Sequence, residues 1–217
     1  MSWNAVMRGI SLTPYRLVAI ENEDHVAAGR RVVIDEAEAE AMRGLGAYLA
    51  RLGHTHVAMV VDSGRADTAP HEIVDVTTLY NNARLRMQGL REGLGANARL
   101  TVVSGGHNSI ESGIAAAALA LDRRDRPTAI AAGGDVLAFG VIEAMRRRGL
   151  TPGRDISVTG FDDIPDAESA GLTTVRQPIR DKGRLLGRML LDPSYTEDRV
   201  VLPTELIIRS STGPVRS

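Results

Sequence analysis

The residues with the greatest chemical capacity in this chain sit at the ends of apolar runs. Asp162 and Asp163 close the run ISVTGF, and Gln177 closes the run TTVR. Two carboxylates could in principle form an acid–base dyad. Neighbours on an extended segment point to opposite sides, however, which sets them against converging on one bond. One carboxylate reaching a crevice and the other capping the following turn fits the spacing better. Asn82 and Arg86 lie four apart and share a helix face, beside an apolar stripe of Ala83, Met87 and Leu90. An arginine there presents a forked donor to a carboxylate, a phosphate or sugar hydroxyls, and a solvated helix arginine is the equal alternative. Gly133–Gly134–Asp135 opens a helix. Its backbone N–H groups could hold an anion, although a tight turn with Asp135 as N-cap is the simpler reading. His54 and His56 have H-x-H spacing but no third ligand nearby, so they read as solvated junction residues rather than a metal site. His107 lies in a loop after a strand, where it could touch a ligand.

Other chemistries are excluded by what the sequence lacks. It contains no G-x-x-x-x-G-K-[ST] phosphate loop, no G-x-G-x-x-G fingerprint and no G-x-S-x-G elbow. It has no cysteine, which removes disulfides, thiolate nucleophiles and thiolate metal sites. No nucleophile–base pair is evident, so the chain is expected to be no enzyme and to carry no cofactor and no metal. The net charge of −1 gives no field that would draw it to nucleic acid or membrane. Its basic residues are scattered arginines, with Lys182 the only lysine. The opening MSWNAVMRGISLTPYRL has no unbroken apolar region and carries Arg8, unlike a signal peptide, and no segment is apolar enough to span a bilayer. A cytoplasmic location is expected.

These clusters need a scaffold, and the pattern supplies one. RLVAIE, RVVID, HVAMVV, RLTVVS, TAIAAG, ISVTGF and TTVRQ read as short strands. Between most of them lie amphipathic runs with helical spacing, such as Ala37, Ala41, Leu45, Tyr48, Leu49 and Leu52, closed by Gly53. A loop of unusual length spans 62–78. Pro178 opens a last helix, and DRVVLPTELIIRSS reads as a final extended segment with Pro203 pointing to an edge. Strands alternating with helices of this length mean βαβ units and a mainly parallel, doubly wound α/β sheet. Ligands of such sheets bind outside the strands' carboxyl ends. That is where Asp162, Asp163 and Gln177 fall.

The C-terminal portion resembles the effector-binding domain of LacI/GalR-family transcriptional regulators. The carrying stretches are PTAIAAGGDVLAFGVIEAMRRRGLTPGRDISVTGFDDIP and LTTVRQPIRDKGRLLG, in family order and spacing, with YLARLGHTHVAMV and NNARLRMQGLREGL upstream. The resemblance runs from about Arg16 to Thr212. It implies a two-lobed, periplasmic-binding-protein-like fold with a truncated first lobe. Residues 1–56 and 177–198 would form the partial first lobe, residues 57–176 and 199–212 the second, and 213–217 a tail. It further implies effector contacts from Glu21, Asn82, Arg86, Asp135, Asp162 and Gln177, with Asn108 near the place where many members stack an aromatic ring.

Three departures bear on that inheritance. Gly134 stands where the family has Asn, Glu21 is longer than the usual Asp, and GGHNSIESG offers no aromatic platform for a pyranose ring. The expected role is the effector-sensing, dimerising core of a regulator responding to a sugar or other small polar metabolite. A solute-binding transport component is the alternative on the same fold. Operator DNA would be reached only through a helix-turn-helix region absent from this chain. Homodimerisation is expected through helix 109–121, which is apolar nearly all round.

Overall fold

A computed structural model describes residues 17–20, 31–35, 37–63, 69–192, 194–196 and 199–216. The chain divides into two compact units. One comprises residues 1–36 and 178–202, the other residues 37–177 and 203–217.

The smaller unit holds three parallel strands in the order β1 (Leu17–Ile20), β2 (Arg31–Asp35), β9 (Arg199–Val201). Helix α6 (Ile179–Leu191) contributes Leu185, Leu186 and Met189 to a small core with Tyr195, Val200 and Leu202.

The larger unit is built on a seven-stranded sheet. Its strands are β3 (His56–Val61), β4 (His71–Glu72), β5 (Arg99–Ser104), β6 (Ala129–Ala132), β7 (Ser157–Asp162), β8 (Thr173–Arg176) and β10 (Glu205–Ile207), in the spatial order β10-β8-β7-β6-β3-β5-β4. The five central strands are parallel, and both edge strands are antiparallel to their neighbours. Strand β3 shows why the sheet is covered on both faces. Val57, Met59 and Val61 enter one apolar cluster while Ala58 and Val60 enter the other, the alternation that a pleated strand imposes. Helices α1 (Glu38–Arg51) and α2 (Asn81–Leu94) cover the first face, and α3 (Ile110–Leu121) and α4 (Asp135–Arg146) the second. A short helix α5 (Pro165–Ser169) links β7 to β8.

Helices α1 and α2 meet backbone to backbone. A Cβ on Gly89 would lie 2.0 Å from the Ala39 carbonyl oxygen, and one on Gly93 would lie 2.1 Å from that of Arg43. The pair of glycines four apart is therefore a packing requirement, not a weakness in the helix.

The last segment fastens the larger unit. The Ser211 hydroxyl donates to the Val158 carbonyl and accepts from the Thr173 amide, at 2.6 and 2.8 Å. Thr212 meets Tyr48 on α1, the Gly213 amide donates to Ser157, and the Val215 amide donates to the Leu52 carbonyl.

The unit boundaries differ from those expected. Helix α1, expected in the first lobe, belongs to the larger unit, because its buried Met42, Leu45 and Leu49 pack on the same core as α2. The run 198–211 is two strands rather than one. Its first part pairs in parallel with β2, and after Pro203 its second part pairs with β8. The segment 62–78 also contains more structure than a loop, since β4 pairs with β5 and Val76–Thr78 form a 3-10 turn capped by Asp75.

Candidate functional site

The larger unit gathers polar side chains at the carboxyl ends of its parallel strands. Strand β7 ends on Asp162 and Asp163, and both have positive φ, 116° and 56°. Such conformations cost a non-glycine residue on the order of 1–3 kcal/mol and persist only where the surroundings enforce them. Here the enforcement is visible. Asp163 is gripped by Arg176 at 2.7 Å and Arg209 at 2.8 Å. The buried Asp135 carboxylate accepts from the Ile164 amide at 2.9 Å, from the Thr174 hydroxyl at 2.6 Å, and from the Asp163 amide. Burial pushes the Asp135 carboxyl above its ordinary range, and these donors act against that rise. Gly160 makes the arrangement possible, because a Cβ there would overlap Asp135 Oδ1.

Asp135 is thus not the helix N-cap, which is Gly134. It is fully buried, with both carboxylate oxygens taken by the chain itself, so it shapes the site from beneath. The residue that caps the turn after β7 is Asp135 and not one of the two adjacent aspartates. Asp162 keeps the role of rim carboxylate, half-buried, and its Oδ1 accepts from Gln177 Nε2 at 2.7 Å.

Two of the sequence candidates meet around Gly134. A Cβ built there would lie 3.5 Å from Asp162 Oδ2 and 3.8 Å from Asn108 Oδ1, both ordinary contact distances. The glycine therefore leaves side-chain space open among Asp162, Asn108 and the turn. Asn108 is exposed and Asn82 is half-buried near the start of α2. Glu21 lies outside the described residues.

Arg86 reaches the same turn from α2. Its Nη1 donates to the Gly133 carbonyl, its Nε and Nη2 donate to Glu38 Oε1, and its guanidinium lies 3.9 Å from the centre of the Phe161 ring. The side chains of Arg86 and Glu38 are only 12% and 5% exposed, a largely desolvated pair. A guanidinium stacked on an aromatic face and forked to a carboxylate is held rigidly. Its remaining N–H groups are thereby aimed, not free to search.

Sequence reasoning missed Glu38, Asp62 and Tyr80. Asp62 follows β3 and takes a hydrogen bond from the Tyr80 hydroxyl; burial first, then that carboxylate, holds the phenol well above its ordinary range. A tyrosine just before the helix bearing Asn82 and Arg86 was the available signal. Glu38 had none, since Glu36, Glu38 and Glu40 alternate and nothing singles out one.

The histidine pair has a different character from that expected. His54 is buried, not solvated, with Nδ1 2.9 Å from Thr128 Oγ1 and Nε2 3.1 Å from the Gly213 carbonyl. Among the described residues no cluster of His, Cys, Asp and Glu could hold a metal ion, and no helix is long and apolar enough to cross a membrane.

A doubly wound parallel sheet with its polar groups at the strand carboxyl ends defines a small-ligand-binding scaffold. Residues 47–212 match the periplasmic binding protein-like domain, and the chain belongs to that family. Its curated relatives include a helix-turn-helix-type transcriptional regulator of Mycolicibacterium smegmatis, 32% identical, covering 91% of this chain and 57% of that protein. The regulator DegA of Bacillus subtilis is 36% identical over 86% of this chain and 53% of its own. The chain thus spans about half the length of these curated relatives. A LacI-family regulatory protein of Chloroflexus aggregans has the same fold at 27% identity and a TM-score of 0.70, covering 95% of this chain and 72% of that one. A LacI-family regulator of Enterococcus faecium, crystallised with bound ribose, superposes with a TM-score of 0.78 at 22% identity, over 99% of this chain and 77% of that one. The resemblance to LacI-family effector domains carried by the GFDD, LTTVRQPI and ARLR stretches is borne out.

Proposed function

We propose that this chain is the effector-sensing and dimerising part of a LacI-family DNA-binding transcriptional regulator that responds to a sugar or another small polar metabolite. The observation that carries the reading is the polar rim of Asp162, Gln177 and Asn108 around the open space at Gly134, with Arg86 anchored beside it. Asp162 supplies an acceptor, while Gln177 and Asn108 supply both donors and acceptors, the mixture that matches hydroxyl groups. Asn82 and Arg86 extend this surface from α2, and Asp135 supports it from below. The segment GGHNSIESG carries no aromatic ring, which favours a small polar effector over a stacked pyranose.

The protein acts by binding, not by turnover, in the cytoplasm, and reaches operator DNA through a helix-turn-helix region outside this chain. Dimerisation uses helix α3, where Ile110 and Leu119 are 43% and 37% exposed. A thermal-shift panel of pentoses, hexoses, polyols and nucleosides tests the reading, followed by calorimetric titration of each hit. A hit that also changes operator binding by the intact regulator establishes the role. Hits that are chemically altered on incubation would replace it with an enzymatic one.

A further inference from the structure

The larger unit has a second concavity at the opposite end of its sheet. It lies by the amino ends of β3, β6 and β7, has a volume of about 230 Å³, and includes His54, Thr128, Arg126, Arg154, Asp155 and Arg216 in its lining. We propose that this cavity is an anion site for a phosphate group, either the free ion or the phosphate of a small phosphorylated metabolite.

Charge is the first argument. Three arginines line the cavity against a single acidic residue, Asp155. That carboxylate accepts from the Thr151 amide at 2.7 Å, the main reason it sits below the ordinary range, and it is shared between Arg154 and Arg216, so the cluster keeps an excess of positive charge. Arg154 reaches Asp155 only at 3.4 Å, and Arg126 has no ion-pair partner among the described residues. Arginine forks match the tetrahedral oxygens of a phosphate two at a time, which favours a dianionic phosphate over a single carboxylate.

Position and size are the second argument. The three arginines come from three separate chain segments, the turn before β6, the turn before β7 and the C-terminal segment, so only the folded unit assembles them. The floor is firm, because His54 joins Thr128 to the Gly213 carbonyl and Ser157 takes the Gly213 amide. A water occupies about 30 Å³ of liquid, so the cavity has room for a phosphate with a short organic group. It falls below the roughly 300–1,000 Å³ of sites for larger ligands.

The test is calorimetric titration and thermal shift at constant ionic strength, using inorganic phosphate, glycerol 3-phosphate and glycerol. Phosphate and glycerol 3-phosphate are expected to bind in the sub-millimolar range and raise the melting temperature, with no response to glycerol. Tighter binding of glycerol 3-phosphate identifies a phosphorylated metabolite as the ligand, and equal binding identifies the free ion. Arg126→Ala and Arg154→Ala, both exposed and so harmless to folding, should each weaken binding about tenfold, as expected for loss of a charge-assisted hydrogen bond. Asp162→Asn, at the other end of the sheet, should leave it unchanged. No response to either phosphate compound overturns the site, as does binding that survives both arginine substitutions or is lost in Asp162→Asn.

Discussion

Arg86 is paired with Glu38, and not with Asp162, across the interface of the first two helices of the larger unit. Asp162 instead accepts from Gln177. Removing one member of a buried pair strands the other's charge at a cost of about 3–5 kcal/mol. Arg86→Ala and Glu38→Ala should each lose stability of that order in denaturant titrations. The double substitution should cost less than their sum, with a coupling of roughly 0.5–3 kcal/mol.

Asp162 should behave oppositely. It is half-buried on the rim and lies beside open space at Gly134. Asp162→Asn should weaken binding of an effector found by screening by about 1.5–3 kcal/mol, as for a lost charged hydrogen bond. The melting temperature should change little. Calorimetry beside thermal melts checks both halves, and unchanged affinity would remove Asp162 from the site.

Two glycines in the paired helices should respond in opposite directions to the same substitution. Gly93→Ala forces a methyl group into the Arg43 carbonyl and should destabilise by about 1–3 kcal/mol. Gly44→Ala, where nothing lies within 4 Å, should stabilise by about 0.5–1 kcal/mol through helix propensity alone. Chemical denaturation of the two variants measures the difference.

His54 should make stability fall in mild acid. Burial lowers its folded-state pKa from the ordinary value of 6.5. Between that lowered value and 6.5 the unfolded chain binds a proton that the folded chain resists. Stability is therefore full above 6.5 and declines as the pH drops through the window. His54→Gln should flatten part of that slope in unfolding titrations across the window. His56, lowered chiefly by burial as well, should retain the remainder.

Dimerisation through α3 predicts that Leu119→Glu shifts the protein toward a monomer in light scattering, with the melting transition of the larger unit retained. Leu119 is partly exposed, so the charge is tolerated in a single copy.

The sheet was legible because β3, β5, β6, β7 and β8 are apolar runs bounded by turn residues, and each intervening helix carries its own periodic stripe. Arg86 and Asp162 were legible for a related reason, since both end or flank such elements. Three things escaped. Glu38 meets Arg86 across 48 positions of sequence, and no local pattern encodes that pairing. Asp135 looks like an exposed cap in GGD, but Gly160, far along the chain, vacates the space that lets its carboxylate turn inward. The assignment of α1 to the larger unit depends on what Met42, Leu45 and Leu49 pack against, and an apolar stripe does not name its partner. Each miss is a long-range fit between residues that look unremarkable one at a time.

The fastening of the larger unit by its final segment has a consequence for biosynthesis. The strands β3, β5, β6, β7 and β8 all leave the ribosome before the piece that closes them. Until residues 203–216 emerge, β8 lacks its antiparallel neighbour, and Val158, Thr173, Ser157 and His54 lack the partners that Ser211 and Gly213 later provide. An incomplete sheet edge invites pairing with other nascent chains. Emergence of residues 203–216, more than the appearance of any one strand, is thus the event that commits this unit to its native form.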